Sequence, residues 1–158
     1  MKSDSQIECE GFYEIIIEDS SDDKKVIKRK NTVLRTGRLA LVKVITGETG
    51  TYPSLFITRI VFGTNGTSGG QPKFVDANRT GLFGPVVLDK TVFASIDTTN
   101  PSQAIFSTIV TYSDAVGSTL NEMALVLNDG SYYSMATFGD IVKTNTMQIT
   151  FNWRINYI

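Results

Sequence analysis

The chain has 158 residues, of which 41% are hydrophobic and 20% charged, so a single globular domain with a sizeable core is expected. Fifteen basic and sixteen acidic residues leave a net charge of −1, which supplies no global field to attract nucleic acid or an anionic membrane. There is no histidine, which removes Ser–His and Cys–His nucleophile pairs and the commonest metal ligand, and a single cysteine, Cys9, excludes an internal disulfide.

The N-terminus "MKSDSQIECEG" lacks an apolar signal core, and no apolar run approaches the roughly 18–20 residues of a membrane helix. Synthesis in a reducing cytoplasm, or assembly there into something larger, is the expectation. Cys9 sits between two glutamates, which raise a thiol pKa and argue against a reactive role. Residues 1–10 read as a flexible arm and 11–158 as one β-sandwich domain.

"GFYEIIIE" reads as a first strand, "DSSDDKK" as a polar turn and "VIKRKN" as a second strand, together a hairpin. Charge is divided between its halves. Residues 1–23 hold eight of the sixteen acids, and residues 24–43 hold eight of the fifteen bases with no acid. The hairpin is expected to set Glu14, Glu18 and Asp19 against Lys24, Lys25 and Lys28, each cross-strand pair contributing roughly 0.2–1 kcal/mol. A nucleic-acid patch is the rival reading of "KKVIKRK", but no aromatics are interleaved for base stacking. Lys24, Lys25, Lys28, Arg29 and Lys30 therefore stand as candidate contacts to a protein partner.

"NTVLRTGRLALVKVITGE" predicts the one helix, over about residues 33–46. Leu34, Leu41 and Ile45 form its apolar stripe, Asn31 or Thr36 its cap, and Gly47 its stop. Strand signals then repeat. "SLFITRIVFG" leads into the glycine-rich "GTNGTSGG", and "RTGLFGPVVLDKTVFASID" holds one or two strands. "QAIFSTIVTYSD" and "TLNEMALVLNDG" follow, with Asp129-Gly130 as a hairpin turn into "SYYSMATFG". The closing run alternates: Met147, Ile149, Phe151, Trp153, Ile155 and Tyr157 on a buried face, polar residues on the other. The fold expected is mainly β, an antiparallel sandwich or barrel with one helix packed against it.

The chemistry-bearing motifs are weak. Gln71 and Pro72 follow Gly70, where a phosphate loop needs lysine and hydroxyl at the mouth of a helix, and glycines 63, 66, 69 and 70 miss the dinucleotide spacing. That loop is expected to turn the chain, its glycines permitting positive φ. Glu122, Asp114, Asp129 and Asp140 lie near turns or strand ends; a pair such as Glu122 with Asp114 has the chemistry of an acid and a base, but nothing in the spacing brings two of them together in a cleft. "YSDAVGS" and "LNDGS" do not match an EF-hand. No cofactor and no metal are expected. Tyr112, Tyr132 and Tyr133 are the aromatics to which a ligand contact, sugar above all, is assigned; Tyr132 and Tyr133, being consecutive, point to opposite faces of a strand.

Four stretches carry a resemblance: the "TGR" helix with its basic lead, "LFITRIVFGTNGT" closing in a "GTxGT" turn, "TLNEMALVLNDG" similar to a "LxEhGLh" strand, and "MQITFNWRINY" as the closing strand. Over roughly residues 31–158 the chain resembles small virion structural proteins of tailed bacteriophages. "MALVL" departs from the motif by lacking its glycine. The resemblance implies a non-enzymatic, homo-oligomeric subunit of tail, baseplate or neck, located in the virion and docked to other virion proteins. A capsid decoration protein and a host-surface carbohydrate-binding module are the alternatives. It brings no catalytic residue; Glu122 matches the motif's glutamate, with a structural hydrogen-bonding role as open as any other.

Overall fold

The computed structural model describes residues 9–21 and 23–157, and these form eleven strands and one helix. The first hairpin is β1 (Cys9–Asp19) and β2 (Lys24–Val33), followed by α1 (Arg35–Thr46) and β3 (Ile57–Gly63). Two short strands, β4 (Thr67–Ser68) and β5 (Gln71–Pro72), pair with each other, and β6 (Leu88–Thr91) and β7 (Phe93–Ile96) come next. The chain ends in β8 (Gln103–Val110), β9 (Thr119–Leu127), β10 (Tyr132–Val142) and β11 (Met147–Tyr157). Nine strands share one antiparallel sheet in the order β6-β3-β9-β10-β2-β1-β11-β8-β7. It rolls into a nearly closed barrel, which decides between the two all-β architectures. β1 starts at Cys9, so the last two residues of the expected arm belong to the sheet, opposite Tyr157 and Asn156; residues 1–8 lie outside the described residues.

Period-2 alternation builds the interior. Ile149, Phe151, Trp153 and Ile155 of β11 are buried, and so are their cross-strand neighbours Ile17, Ile15, Tyr13 and Gly11 on β1. Phe62 of β3 stacks at 4.7 Å on Phe151, with Phe138 of β10 at 6.2 Å from Phe151 and Tyr13 at 6.3 Å from Trp153. Tilted aromatic pairs like these add about 0.5–1.5 kcal/mol each beyond their area. β9 breaks the alternation, being buried on both faces from Leu120 to Leu127. Its second face, Ala124 and Val126, packs with Leu34, Val61, Val75 and Met135 in a separate outer core covered by Leu82 and Phe83. A strand covered on both sides reads as a continuous apolar run, as "MALVL" does.

The helix lies over the Tyr133 region of β10. Its buried residues are Gly37 and Ala40, and a Cβ on Gly37 would overlap the Tyr133 carbonyl. The expected stripe is corrected here: Leu34 is fully buried and Leu41 partly, but Ile45 is 84% exposed. Close approach selects the small-residue face, so the large residue one turn on is left outside. Neither expected cap serves. Leu34 is the N-cap residue without a side-chain bond, Thr36 Oγ1 donates to the Tyr132 carbonyl, and Asn31 is in β2, donating to Ser134 at 2.6 Å. Gly47 does end the helix, at φ 73°.

The "one or two strands" of residues 79–97 are two, and they close the barrel. β6 pairs with β3 and β7 with β8, with Val92 alone between them. One extended segment thus changes partner at Val92 and ties opposite edges of the sheet. Val92 N–H donates to the Thr58 carbonyl and Thr108 Oγ1 to the Thr91 carbonyl, both at 3.1 Å. Joining the edges removes rows of unpaired backbone groups that would otherwise invite aggregation.

Candidate functional site

The glycine loop answers to β9. Glu122, fully buried, accepts three backbone N–H bonds: Asn65 at 3.1 Å and Gly84 at 3.1 Å on Oε1, Phe83 at 2.7 Å on Oε2. Asn121 beside it accepts from Gly66 N–H at 2.6 Å and donates to the Thr64 carbonyl, Thr67 and Asp140. Two consecutive side chains therefore pin both ends of the irregular 64–84 excursion. Gly63 and Gly66 are needed for closeness, since a Cβ at either would overlap Glu122 or the Asn121 carbonyl. Only Gly69 and Gly70, at φ 57° and 78°, use the left-handed region, in the β4–β5 turn. Lys73 and Arg79 lie over the Phe83 ring at 4.9 Å and 3.7 Å, clamping the far end of the excursion.

The other candidate carboxylates are likewise held by structural partners. Asp114 accepts from Lys90 at 2.7 Å and from Thr111 N–H and hydroxyl at 2.9 Å. Burial alone would raise its carboxyl, but these bonds outweigh that and hold it below the ordinary value. Asp129 accepts from Ser131, and Asp140 from Thr67 and Asn121. Glu122 and Asp114 hold separate sets of partners and share none. Lys143, which sequence reasoning missed, is 1% exposed and donates to the carbonyls of Tyr112 and Thr144 at 3.1 Å and 2.8 Å. Desolvation lowers its pKa, with Asp114 opposing. It follows directly after β10, which ends at exposed Val142, and no local pattern in the sequence marks it as buried.

The three candidate tyrosines do not form one platform. Tyr112 is half-exposed beyond the end of β8. Tyr132 and Tyr133 begin β10, near the opposite end of the barrel, where Tyr133 bonds Tyr157 at 2.7 Å. Tyr133 is 3% exposed, so it is removed from the candidate ligand contacts; Tyr132 is partly buried against the outer core. Cys9 lies 3.8 Å from the Tyr133 hydroxyl, and burial is the main reason its thiol pKa is raised.

The β2 cations divide by face. Register places Glu18 opposite Lys24 and Glu14 opposite Lys28, with ion pairs at 3.9 Å and 3.2 Å, and Lys30 reaches Glu10 at 3.6 Å. Lys25 and Asp19 are corrected: Lys25 opposes Ile17 and Arg29 opposes Tyr13, on the inner face, where no acid pairs with either among the described residues. That face is open because β2 pairs with β10 only at Val33↔Ser134 and Thr32↔Met135. Below, three residues of β10 (138–140) stand opposite Asn121 alone in a wide bulge, and the ladder to β2 is absent. The result is a lateral cleft of about 780 Å³ between β2 and β10, bounded by the β4–β5 hairpin. A second groove of about 550 Å³ on the outer sheet face is lined by Phe12, Glu14, Lys28, Lys30 and Arg154.

Comparison with family models, with curated proteins and with solved structures returned no match.

Proposed function

We propose that this protein is a non-enzymatic structural subunit that works by docking to neighbouring chains, as a repeated component of a tailed-bacteriophage virion. The observation that carries the docking reading is the contrast between polar groups inside and outside. Glu122, Asp114, Asp129 and Asp140, the carboxylates that the sequence singles out as acid–base candidates, are each occupied in holding loops. The unassigned polar capacity is instead on the surface, in the backbone of β2 and the Lys25 and Arg29 side chains. Exposed apolar side chains add to it: Phe93 and Ile96 on β7, Ile45 on α1 and Phe74 in the loop. The virion assignment rests on the resemblance of the helix, the "GTxGT" turn and the two late strands.

The reading predicts that the chain co-purifies with intact particles at a fixed copy number, or forms stable symmetric oligomers on its own. Light scattering and mass spectrometry of gradient-purified particles test it. A monodisperse monomer that never enters particles overturns it, and so does turnover of a substrate that Glu122→Gln or Asp114→Asn abolishes.

A further inference from the structure

We infer that the cleft between β2 and β10 is a strand-addition site that takes an extended, acidic segment from a neighbouring chain. The inference rests on the docking reading above and names the class of partner. Three independent features of the cleft agree on that occupant.

The first is backbone. Among the described residues, 24–31 of β2 have β1 on one side and no strand on the other. In an antiparallel strand, alternate residues direct both N–H and C=O to the same side, so half of these residues present unpaired groups to the cleft. An added strand satisfies them, and main-chain bonds of this kind give affinity without demanding a particular sequence. Across the cleft, the Tyr13 hydroxyl donates to the Thr137 carbonyl at 3.2 Å, a side chain bonding the wall where no ladder reaches it.

The second is charge. β2 carries five cations in seven positions, and the three on its outer face are each paired to a β1 glutamate. Lys25 and Arg29, on the cleft face, are exposed and have no acid partner among the described residues; the Arg29 guanidinium bonds the neighbouring Lys28 carbonyl at 2.8 Å. Four residues apart on a strand, their side chains share a face and their Cα atoms are separated by about 13 Å. The complementary strand therefore carries two acids four residues apart. β1 already meets the outer face in this way, with Glu14 and Glu18 opposite Lys28 and Lys24.

The third is the wall. Between the two cations Ile27 faces the cleft, with Tyr13, Phe138 and Pro72 around it. An apolar residue midway between the acids has an apolar surface to meet. The recognised pattern is acid-x-apolar-x-acid in an extended chain.

The test uses a fluorescent peptide of that pattern, acetyl-TETVTET-amide, titrated with purified full-length protein and followed by anisotropy. Expected is saturable binding that weakens as salt rises from 0.05 to 0.5 M, since the pairs are at the surface. The double variant K25E/R29E should bind about tenfold more weakly, since two exposed pairs are lost and charge reversal adds repulsion. The variant R35E/R38E, which makes the same change of net charge at exposed positions of α1 outside the cleft, should bind like the wild type. The peptide TQTVTQT measures the same charge term on unaltered protein, should K25E/R29E fail to fold. Hydrogen exchange should show backbone amides among residues 24–31 gaining protection in the complex. Absence of binding at millimolar protein overturns the proposal, and so does equal affinity for the two peptides, or protection confined to other strands. Because no particles are involved, a negative result here leaves the particle assay standing, and a protein absent from particles can still bind the peptide.

Discussion

Glu122 is the residue on which the irregular 64–84 excursion depends. Its carboxylate answers three backbone donors separated from it by 38 to 57 residues, and no water is needed to satisfy them. Glu122→Gln keeps the shape but turns an N–H₂ towards at least one of those donors. Bonds to a charged group are worth about 1.5–3 kcal/mol, so a loss of about 2–4 kcal/mol is expected, read as a lower urea midpoint at unchanged slope. A midpoint within error of wild type would show that the excursion is held elsewhere. Alkaline pH provides a second residue-level test. Burial pushes the Tyr13 hydroxyl from 10.0 up to about 12, against the opposing charge of Arg29, and burial also raises Tyr133 and Tyr157. A raised folded pKa contributes stability that is complete below pH 10 and is lost as pH climbs towards 12. For Tyr13 alone the amount is about 3 kcal/mol. Lys143 acts with opposite sign: its lowered pKa makes stability rise with pH, but only up to 10.5. The net expectation is a urea midpoint that falls between pH 10 and 11.5, and less steeply in Tyr13→Phe; a flat profile refutes it.

At the scale of elements, the helix shows how packing overrides a hydrophobic stripe. Alanine is the better helix former by about 1 kcal/mol, yet Gly37→Ala should destabilise by about 1–3 kcal/mol because its methyl meets the Tyr133 backbone. Ile45→Ala, at an exposed site, should change stability by no more than about 0.5 kcal/mol. Thermal melts of the two variants separate these outcomes, and the reverse order would mean that α1 packs by its large residues. The element most legible in the sequence is β11, whose six alternating apolar residues face inward as read, and the Gly47 stop and Asp129-Gly130 turn were equally local. The β1–β2 hairpin was legible in outline, but the side of each cation was not. A shift of one residue moves a side chain to the other face, and only the register with β1 separates Lys25 from Lys24.

For the whole molecule, closure at Val92 makes sheet and core one cooperative unit. Val92→Pro removes the N–H that meets the Thr58 carbonyl and leaves that carbonyl short of its partner. The expected cost is about 2–3 kcal/mol, with increased dye binding to the exposed interior. Unchanged stability would show that β6 and β7 are held separately.

The sequence by itself determined that the chain is mainly β with one helix, where most strands lie, and that it holds no histidine and a single cysteine, because alternation, turn residues and composition act over a few neighbouring positions. Tertiary structure alone decided the barrel over the sandwich, the change of partner at Val92, the burial of Glu122 and Lys143, and the opening beside Lys25 and Arg29. Those features depend on which strands meet across long stretches of chain. No local pattern encodes that choice; it is made by the fit of whole faces against one another.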